Sequence, residues 1–221
     1  ISTFRDAGGL WDKYPVEQVA TPEGYARNPE QVINFYNERR KQLLDVVPNA
    51  GHLGVADLER DFNVTVVTQN VDNLHERAGS THVIHLHGEL TKVCSSRDPY
   101  NPHFVKELAP EEYEVKLGDK AGDGTQLRPF IVWFGESVPE IETAIRYVEQ
   151  ADIFVIIGTS LNVYPAAGLL NYVPRAAEVY LIDPKPVDTH VMRPIHVIQK
   201  GASEGVKELK ALLTVTQPPL P

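Results

Sequence analysis

The chain has 221 residues, which suits one large domain or one domain with a small insert at roughly 100–200 residues per domain. Its formal net charge of −9, from Lys+Arg 21 against Asp+Glu 30, disfavours non-specific nucleic-acid binding, which depends on positive charge neutralising phosphates. No run of about 18 apolar residues is present, so no membrane span is expected, and the single cysteine, Cys94, leaves no intrachain disulfide and no Cys-rich zinc knuckle.

Taken in chain order, the first strong signal is Asn28-Pro29, an N-cap followed by a proline at the first helical position. Val32, Ile33, Phe35, Tyr36, Leu43 and Leu44 then recur at helical spacing and predict a helix running towards Pro48. Residues 49–62 read as a second amphipathic helix. Residues 64–68 (VTVVT) are β-branched and predict a buried strand, and residues 83–86 another. From Gly88 to Leu127 the character changes to charges, Gly, Pro and Asp with no long apolar run, as in a small, loop-rich insert. Strand composition returns at 129–134, and helix at 139–151. Residues 153–157 (IFVII) are almost purely apolar, as expected for a parallel strand covered on both faces. A short helix over 164–172, strands at 179–182 and 195–198, and a last amphipathic helix over 202–213 follow, before a frayed tail at 217–221. Strands alternating with helices predict an α/β domain. Its expected form is a Rossmann-like, mostly parallel sheet with helices on both faces and a small inserted lobe over residues 88–130.

In such sheets ligands sit at the carboxyl ends of the strands. The segments that follow the predicted strands are Gln69-Asn70-Val71-Asp72, His87-Gly88-Glu89, Gly135-Glu136, Gly158-Thr159-Ser160, Asp183-Pro184 and Gln199-Lys200-Gly201-Ala202. Each alone is ordinary turn chemistry. Together they bring amides, hydroxyls, glycines, a carboxylate and a histidine to one rim. Gly158-Thr159-Ser160 suits a nucleotide, since glycine permits close backbone approach and hydroxyls hold ribose or phosphate oxygens. Asp183 either accepts from a ribose hydroxyl or adenine amine, or caps the turn before Pro184. No G-x-G-x-x-G is present, so a hydride-transferring dinucleotide enzyme lacks its usual fingerprint. His87 is the candidate general base because histidine titrates near neutral pH. His85, two residues earlier, points to the same face of a strand, but no third and fourth metal ligand stands nearby and no catalytic metal is expected.

These segments converge on a family. Thr68-Gln69-Asn70-Val71-Asp72-Asn73-Leu74-His75, with Ala78-Gly79 after it, resembles the TQN(I/V)D-LH-AG motif of the sirtuins, the NAD-dependent protein lysine deacylases. His85-Leu86-His87-Gly88 is similar to their H-x-HG signature. Val132-Trp133-Phe134-Gly135-Glu136 is similar to their V-FGE segment, and Gly158-Thr159-Ser160 with Val163-Tyr164-Pro165-Ala166 to their GTS–V-PA. The likeness runs from Ile1 to about Leu213. Ile1-Ser2-Thr3-Phe4-Arg5-Asp6 resembles the end of the family's glycine-rich loop, so the first strand and that loop are expected upstream of Ile1.

The resemblance implies a single sirtuin-type catalytic domain over residues 1–221 that consumes NAD. It releases nicotinamide and passes the acyl group of an acylated lysine side chain to ADP-ribose. It implies that His87 and Asn70 are catalytic, with His87 the general base on the ribose hydroxyls. Phe4, Arg5, Gln69, Asn70, Val71, Asp72, Gly158, Thr159, Ser160, Asp183 and Ala202 would bind the cofactor. Val132, Phe134, Gly135, Glu136, Val163 and Tyr164 would pair substrate backbone as an added strand. Phe35-Tyr36-Asn37-Glu38-Arg39-Arg40 resembles the FYN-RR segment of the class III, desuccinylase-type sirtuins. Tyr36 and Arg39 are three apart and share one helix face. There they would read an acyl chain ending in carboxylate, Arg because its planar fork binds carboxylate bidentately.

Most sirtuins hold a structural zinc with four cysteines in the small lobe. Here residues 88–127 offer only Cys94 and His103, so a zinc-free lobe held by packing and turns is expected. The expected function is removal of succinyl- or malonyl-type groups, and of acetyl groups, from protein lysines, with the cytoplasm as compartment and no membrane or nucleic-acid partner. Two alternatives remain at this stage: a sirtuin-like ADP-ribosyltransferase or NAD hydrolase, and a non-catalytic NAD-sensing module.

Overall fold

The computed structural model describes residues 14–159, 164–186 and 193–215. In chain order its helices are α1 (Val16–Val19), α2 (Pro22–Arg27), α3 (Pro29–Leu44), α4 (Ala50–Asp57), α5 (Leu74–Ala78), α6 (Ile141–Val148) and α7 (Ala202–Val215). The strands are β1 (Val66–Thr68), β2 (Val83–His85), β3 (Gly88–Ser95), β4 (Lys106–Glu107), β5 (Leu127–Ile131), β6 (Ile153–Ile157), β7 (Glu178–Ile182) and β8 (His196–Ile198). The chain divides into two compact units. One contains residues up to 46, 69–73 and 85–139; the other contains 47–68, 74–84 and residues from 140 onward. No described helix is long and apolar enough to cross a membrane.

The second unit carries the parallel sheet. Strands run β6-β7-β8, with Ile153 opposite Glu178, Ile157 opposite Ile182 and Ile182 opposite Ile198. Tyr180, Ile182 and Ile198 meet Val206, Leu209 and Leu213 of α7 and Leu58 in one apolar core. Two glycines set how near the covering helices lie. A Cβ at Gly205 would stand 2.1 Å from Ile182 Cγ2, and one at Gly54 would stand 2.8 Å from Val206 Cγ1. In the same unit β1 neighbours β2, and Val66 N–H donates to the His82 carbonyl at 3.0 Å. The Asn49 side chain and His52 form a capping box that starts α4. The helix expected over 49–62 ends at Asp57 and tightens into a 3-10 turn at Leu58–Arg60, and the one expected over 164–172 is a 3-10 helix, Ala166–Tyr172.

The first unit is built on α3 and an antiparallel sheet ordered β4-β3-β5. Asn28 accepts from Gln31 N–H and Pro29 opens the helix, as the sequence predicts. The lobe expected as loop-rich contains the eight-residue strand β3. Its register slips between Gly88 and Val93, and Lys92 pairs with Glu89 at 2.7 Å, so its period-2 pattern is broken. The strand expected over 129–134 is Leu127–Ile131, and Trp133–Glu136 forms a tight turn instead. Pro129 is tolerated because β5 is the outer strand, where a missing N–H costs least.

Polar side chains of α3 fasten it to the lobe. Asn37 exchanges two hydrogen bonds with the Val115 backbone, at 2.8 and 2.9 Å. Buried Arg40 donates to the Tyr113 carbonyl at 2.7 Å and to Asn37 Oδ1 at 2.6 Å. Burial lowers its pKa to about 10. At the lobe tip the fully buried Ser95 donates to Asp123 at 2.7 Å and accepts from the Arg97 and Asp98 amides at 3.0 Å each. The Thr125 hydroxyl, with the Ser95 hydroxyl and the Thr125 N–H, donates to Asp123 and holds its pKa down to about 2.

Candidate active site

The predicted site residues fall in both units. Phe4, Arg5, Ser160 and Val163 lie outside the described residues. In the first unit, the segment 69–71 is fastened to the histidine strand through its own carbonyls. His87 Nδ1 sits 3.2 Å from the Gln69 carbonyl oxygen, His85 Nδ1 sits 3.1 Å from that of Asn70, and Leu90 N–H donates to that of Val71 at 2.7 Å. A carbonyl oxygen only accepts, so Nδ1 of His87 carries the proton and Nε2 keeps the lone pair of a general base. Burial lowers the His87 pKa below 6.5, with the Gln69 bond opposing that effect. Its ring is therefore neutral at physiological pH. Gly88 follows at φ 86, and a Cβ there would meet the Phe130 carbonyl oxygen at 2.1 Å, so only glycine admits this approach of β3 to β5.

The His87 carbonyl in turn accepts from Val132 N–H at 2.9 Å. The segment after β5 closes as a turn, with Glu136 N–H donating to the Trp133 carbonyl at 3.0 Å and Gly135 at φ 92. Phe134 and Gly135 are exposed. The Glu136 side chain is turned inward. It takes a two-pronged ion pair from buried Arg128, at 2.7 and 3.1 Å, and accepts from Trp133 N–H at 2.8 Å and from the Tyr100 hydroxyl at 3.3 Å. Arg128 also stacks on the Trp133 ring, its Cζ 3.5 Å from the centroid.

Tyr36 and Arg39 share one face of α3, as their spacing predicts. Tyr36 is 4% exposed, and its oxygen accepts from Trp133 Nε1 at 3.0 Å. Desolvation raises its pKa well above the ordinary value of 10.0, so it stays a phenol. Arg39 lies over the Phe35 ring, Cζ 5.2 Å from the centroid. Its Nε and Nη1 are buried and have no hydrogen-bond partner among the described residues. Buried guanidinium donors left unpaired are costly and call for an acceptor.

In the second unit, Gly158, Asp183 and Ala202 stand at or just beyond the carboxyl ends of β6, β7 and β8, the rim where a parallel sheet takes ligands. Gly158, at φ 61, has open space where a Cβ would be, and its N–H donates to the Ile182 carbonyl at 3.0 Å. Asp183 caps its own turn, Oδ1 accepting from Lys185 N–H at 2.8 Å. Ala202 opens α7, and Tyr164 is exposed.

Zinc does not fit the lobe. Cys94 is buried, donates to the Pro129 carbonyl at 3.7 Å, and burial pushes its thiol up to about 12, away from the thiolate zinc requires. The sequence did not single out Arg128, Trp133, Arg40, Ser95 or Asp123. Trp133 and Arg40 lie inside quoted motifs but without a role of their own there, and the bonds Trp133–Tyr36, Arg40–Tyr113 and Ser95–Asp123 join residues far apart along the chain.

Comparison with known proteins gives the family. The profile of the Sir2 family matches residues 1–165. The chain is 84% identical over 213 residues to an NAD-dependent protein deacylase of Bacteroides thetaiotaomicron, covering 96% of this chain and 91% of that protein. It is 47% identical over 209 residues to an NAD-dependent protein deacylase of Helicobacter pylori, covering 95% and 89%. A crystal structure of a Sir2 homologue with NAD matches at TM-score 0.81 and 36% identity, over 97% of this chain and 84% of the other. The chain belongs to the Sir2 family.

Proposed function

We propose that this sirtuin, an NAD-dependent protein deacylase, prefers lysine acyl groups that end in a carboxylate, succinyl and malonyl above acetyl. The observation that carries the preference is Arg39, half-buried, whose buried Nε and Nη1 have no partner among the described residues one helical turn from Tyr36. A carboxylate is acceptor-only and matches a planar guanidinium two-pronged. An acetyl group has no distal acceptor to offer. We assign Gln69, Asn70, Val71 and Asp72, with Gly158, Thr159, Asp183 and Ala202, to holding NAD. NAD supplies an electrophilic ribose carbon with nicotinamide as leaving group. His87, neutral and protonated on Nδ1, takes a proton from a ribose hydroxyl at Nε2, and Asn70 orients the reacting ribose. Val132, Phe134, Gly135, Glu136 and Tyr164 belong to the strand-like docking of the acylated peptide, with Glu136 contributing backbone because its side chain is engaged by Arg128. The lobe over 88–130 keeps its shape without zinc, and the cytoplasm is the compartment this reading favours.

Arg39→Met tests the preference. Losing hydrogen bonds to a charged group costs about 1.5–3 kcal/mol, so succinyl kcat/KM falls roughly 10- to 150-fold while acetyl kcat/KM falls much less. Equal losses on both peptides contradict the preference.

A further inference from the structure

We propose that Trp133 is a positioning residue for acyl selectivity: its indole N–H donates to the Tyr36 oxygen and so commits the Tyr36 hydroxyl hydrogen to the carboxylate end of the acyl chain. The proposal rests on the reading of Tyr36 and Arg39 as the acyl-chain readers. It extends that reading to a residue which, on this account, makes no contact with the acyl group.

Hydrogen-bond polarity assigns each group its part. An indole nitrogen is a donor only, whereas a phenol has one hydrogen to give and lone pairs to receive. Nε1 of Trp133 stands 3.0 Å from the Tyr36 oxygen, so Tyr36 is the acceptor in that bond and retains its hydrogen. Tyr36 is 96% buried by its 4% exposure, and among the described residues no acceptor takes that hydrogen. Without Trp133, the phenol would be free to turn and would point a lone pair as readily as its hydrogen at an incoming anion. With Trp133 in place, Tyr36 presents a hydrogen on the same helix face on which Arg39 presents guanidinium donors that have no partner among the described residues. Two donors and no acceptor make a face that matches a carboxylate and disfavours a group without an acceptor at its end.

Trp133 is itself fixed. Arg128 stacks on the ring at 3.5 Å and pairs with Glu136, and Glu136 accepts from Trp133 N–H at 2.8 Å. Arg128 also donates to the Ile131 carbonyl at 2.7 Å, which ties it to the end of β5. Tyr25 packs against the indole with ring centroids 5.2 Å apart. A cation over the ring draws electron density from the indole and strengthens its N–H as a donor. The buried ion pair thus acts on acyl selectivity through Trp133.

The test uses the full chain with saturating NAD and matched succinyl- and acetyl-lysine peptides, measuring KM, kcat and melting midpoint for Trp133→Phe, Tyr36→Phe and the double variant. Trp133→Phe is expected to raise succinyl KM about tenfold with little change in kcat, and acetyl KM by a far smaller factor. The double variant is expected to lose little beyond Tyr36→Phe alone, because both changes break one unit. Equal factors on the two peptides, or single losses that multiply in the double variant, overturn the proposal. An intact succinyl preference in Tyr36→Phe overturns the pocket reading and this proposal with it. A preference lost in Tyr36→Phe and kept in Trp133→Phe overturns this proposal alone. If Trp133→Phe fails to fold, benzothienylalanine at position 133 keeps the ring shape and replaces the N–H with sulfur; the same rise in succinyl KM is expected, and its absence is contradictory.

Discussion

The two units of this protein are held by different physics. The parallel sheet β6-β7-β8 is closed by an apolar core in which Ile182, Val206 and Leu209 are at most 1% exposed. The antiparallel unit has its own smaller core around Ile33, Val93, Leu108 and Val115, but its geometry is set by polar side chains: Asn37 and Arg40 on the Val115 and Tyr113 backbone, Arg128 on Glu136, and Ser95 on Asp123. Apolar burial is non-directional and fixes that a sheet is covered. Hydrogen bonds and a buried ion pair fix where each group stands. In the antiparallel unit those directional bonds set positions that apolar burial alone would leave loose.

That contrast predicts how each unit breaks. Arg128→Met leaves the largely shielded Glu136 without its charge partner and costs about 3 kcal/mol, at the low end of the range for a buried pair. The loss also frees Trp133, so the melting midpoint and the succinyl preference fall together. Leu209→Ala in the parallel core costs about 2–5 kcal/mol from lost transfer energy and a cavity. It lowers the midpoint without altering the ratio of succinyl to acetyl turnover. Both are read by calorimetry alongside two-peptide kinetics, and a selectivity change in Leu209→Ala would erase the distinction.

Acid separates the units more gently. Asp123 has a folded pKa of about 2 against 3.8 without its partners, so the contribution of its bonds to stability is complete above about 3.8 and is lost as pH falls through about 2. Hydrogen exchange at the Arg97, Asp98 and Thr125 amides should therefore quicken in that window while amides of β6 and β7 stay protected. His87 gives a second, higher window. Its lowered pKa keeps the neutral base below pH 6.5, so turnover persists past the usual histidine midpoint and falls only on further acidification. A kcat/KM profile with its acid limb above 6.5 would contradict the burial assigned to His87.

Much of this was legible from local signals. The apolar run 153–157, the Asn28-Pro29 start of α3 and the shared face of Tyr36 and Arg39 depend on neighbours in sequence, and the structure has all three. Strand β3 was not legible, because its register slip and the Glu89–Lys92 pair interrupt alternation. Trp133 read as one more apolar strand residue. Its partner Tyr36 is 97 positions away, and the polarity of a hydrogen bond leaves no periodicity to detect. The Ser95–Asp123 bond spans 28 positions and was equally invisible.

The proposed preference turns on whether Tyr36 and Arg39 receive a carboxylate. The most direct measurement gives the protein NAD and an equimolar mixture of acetyl- and succinyl-lysine peptides and follows every product by mass spectrometry. The account predicts that succinyl peptide is consumed first, with free lysine peptide, nicotinamide and O-succinyl-ADP-ribose appearing together. Preferential consumption of the acetyl peptide, or nicotinamide release with both peptides intact, would contradict it.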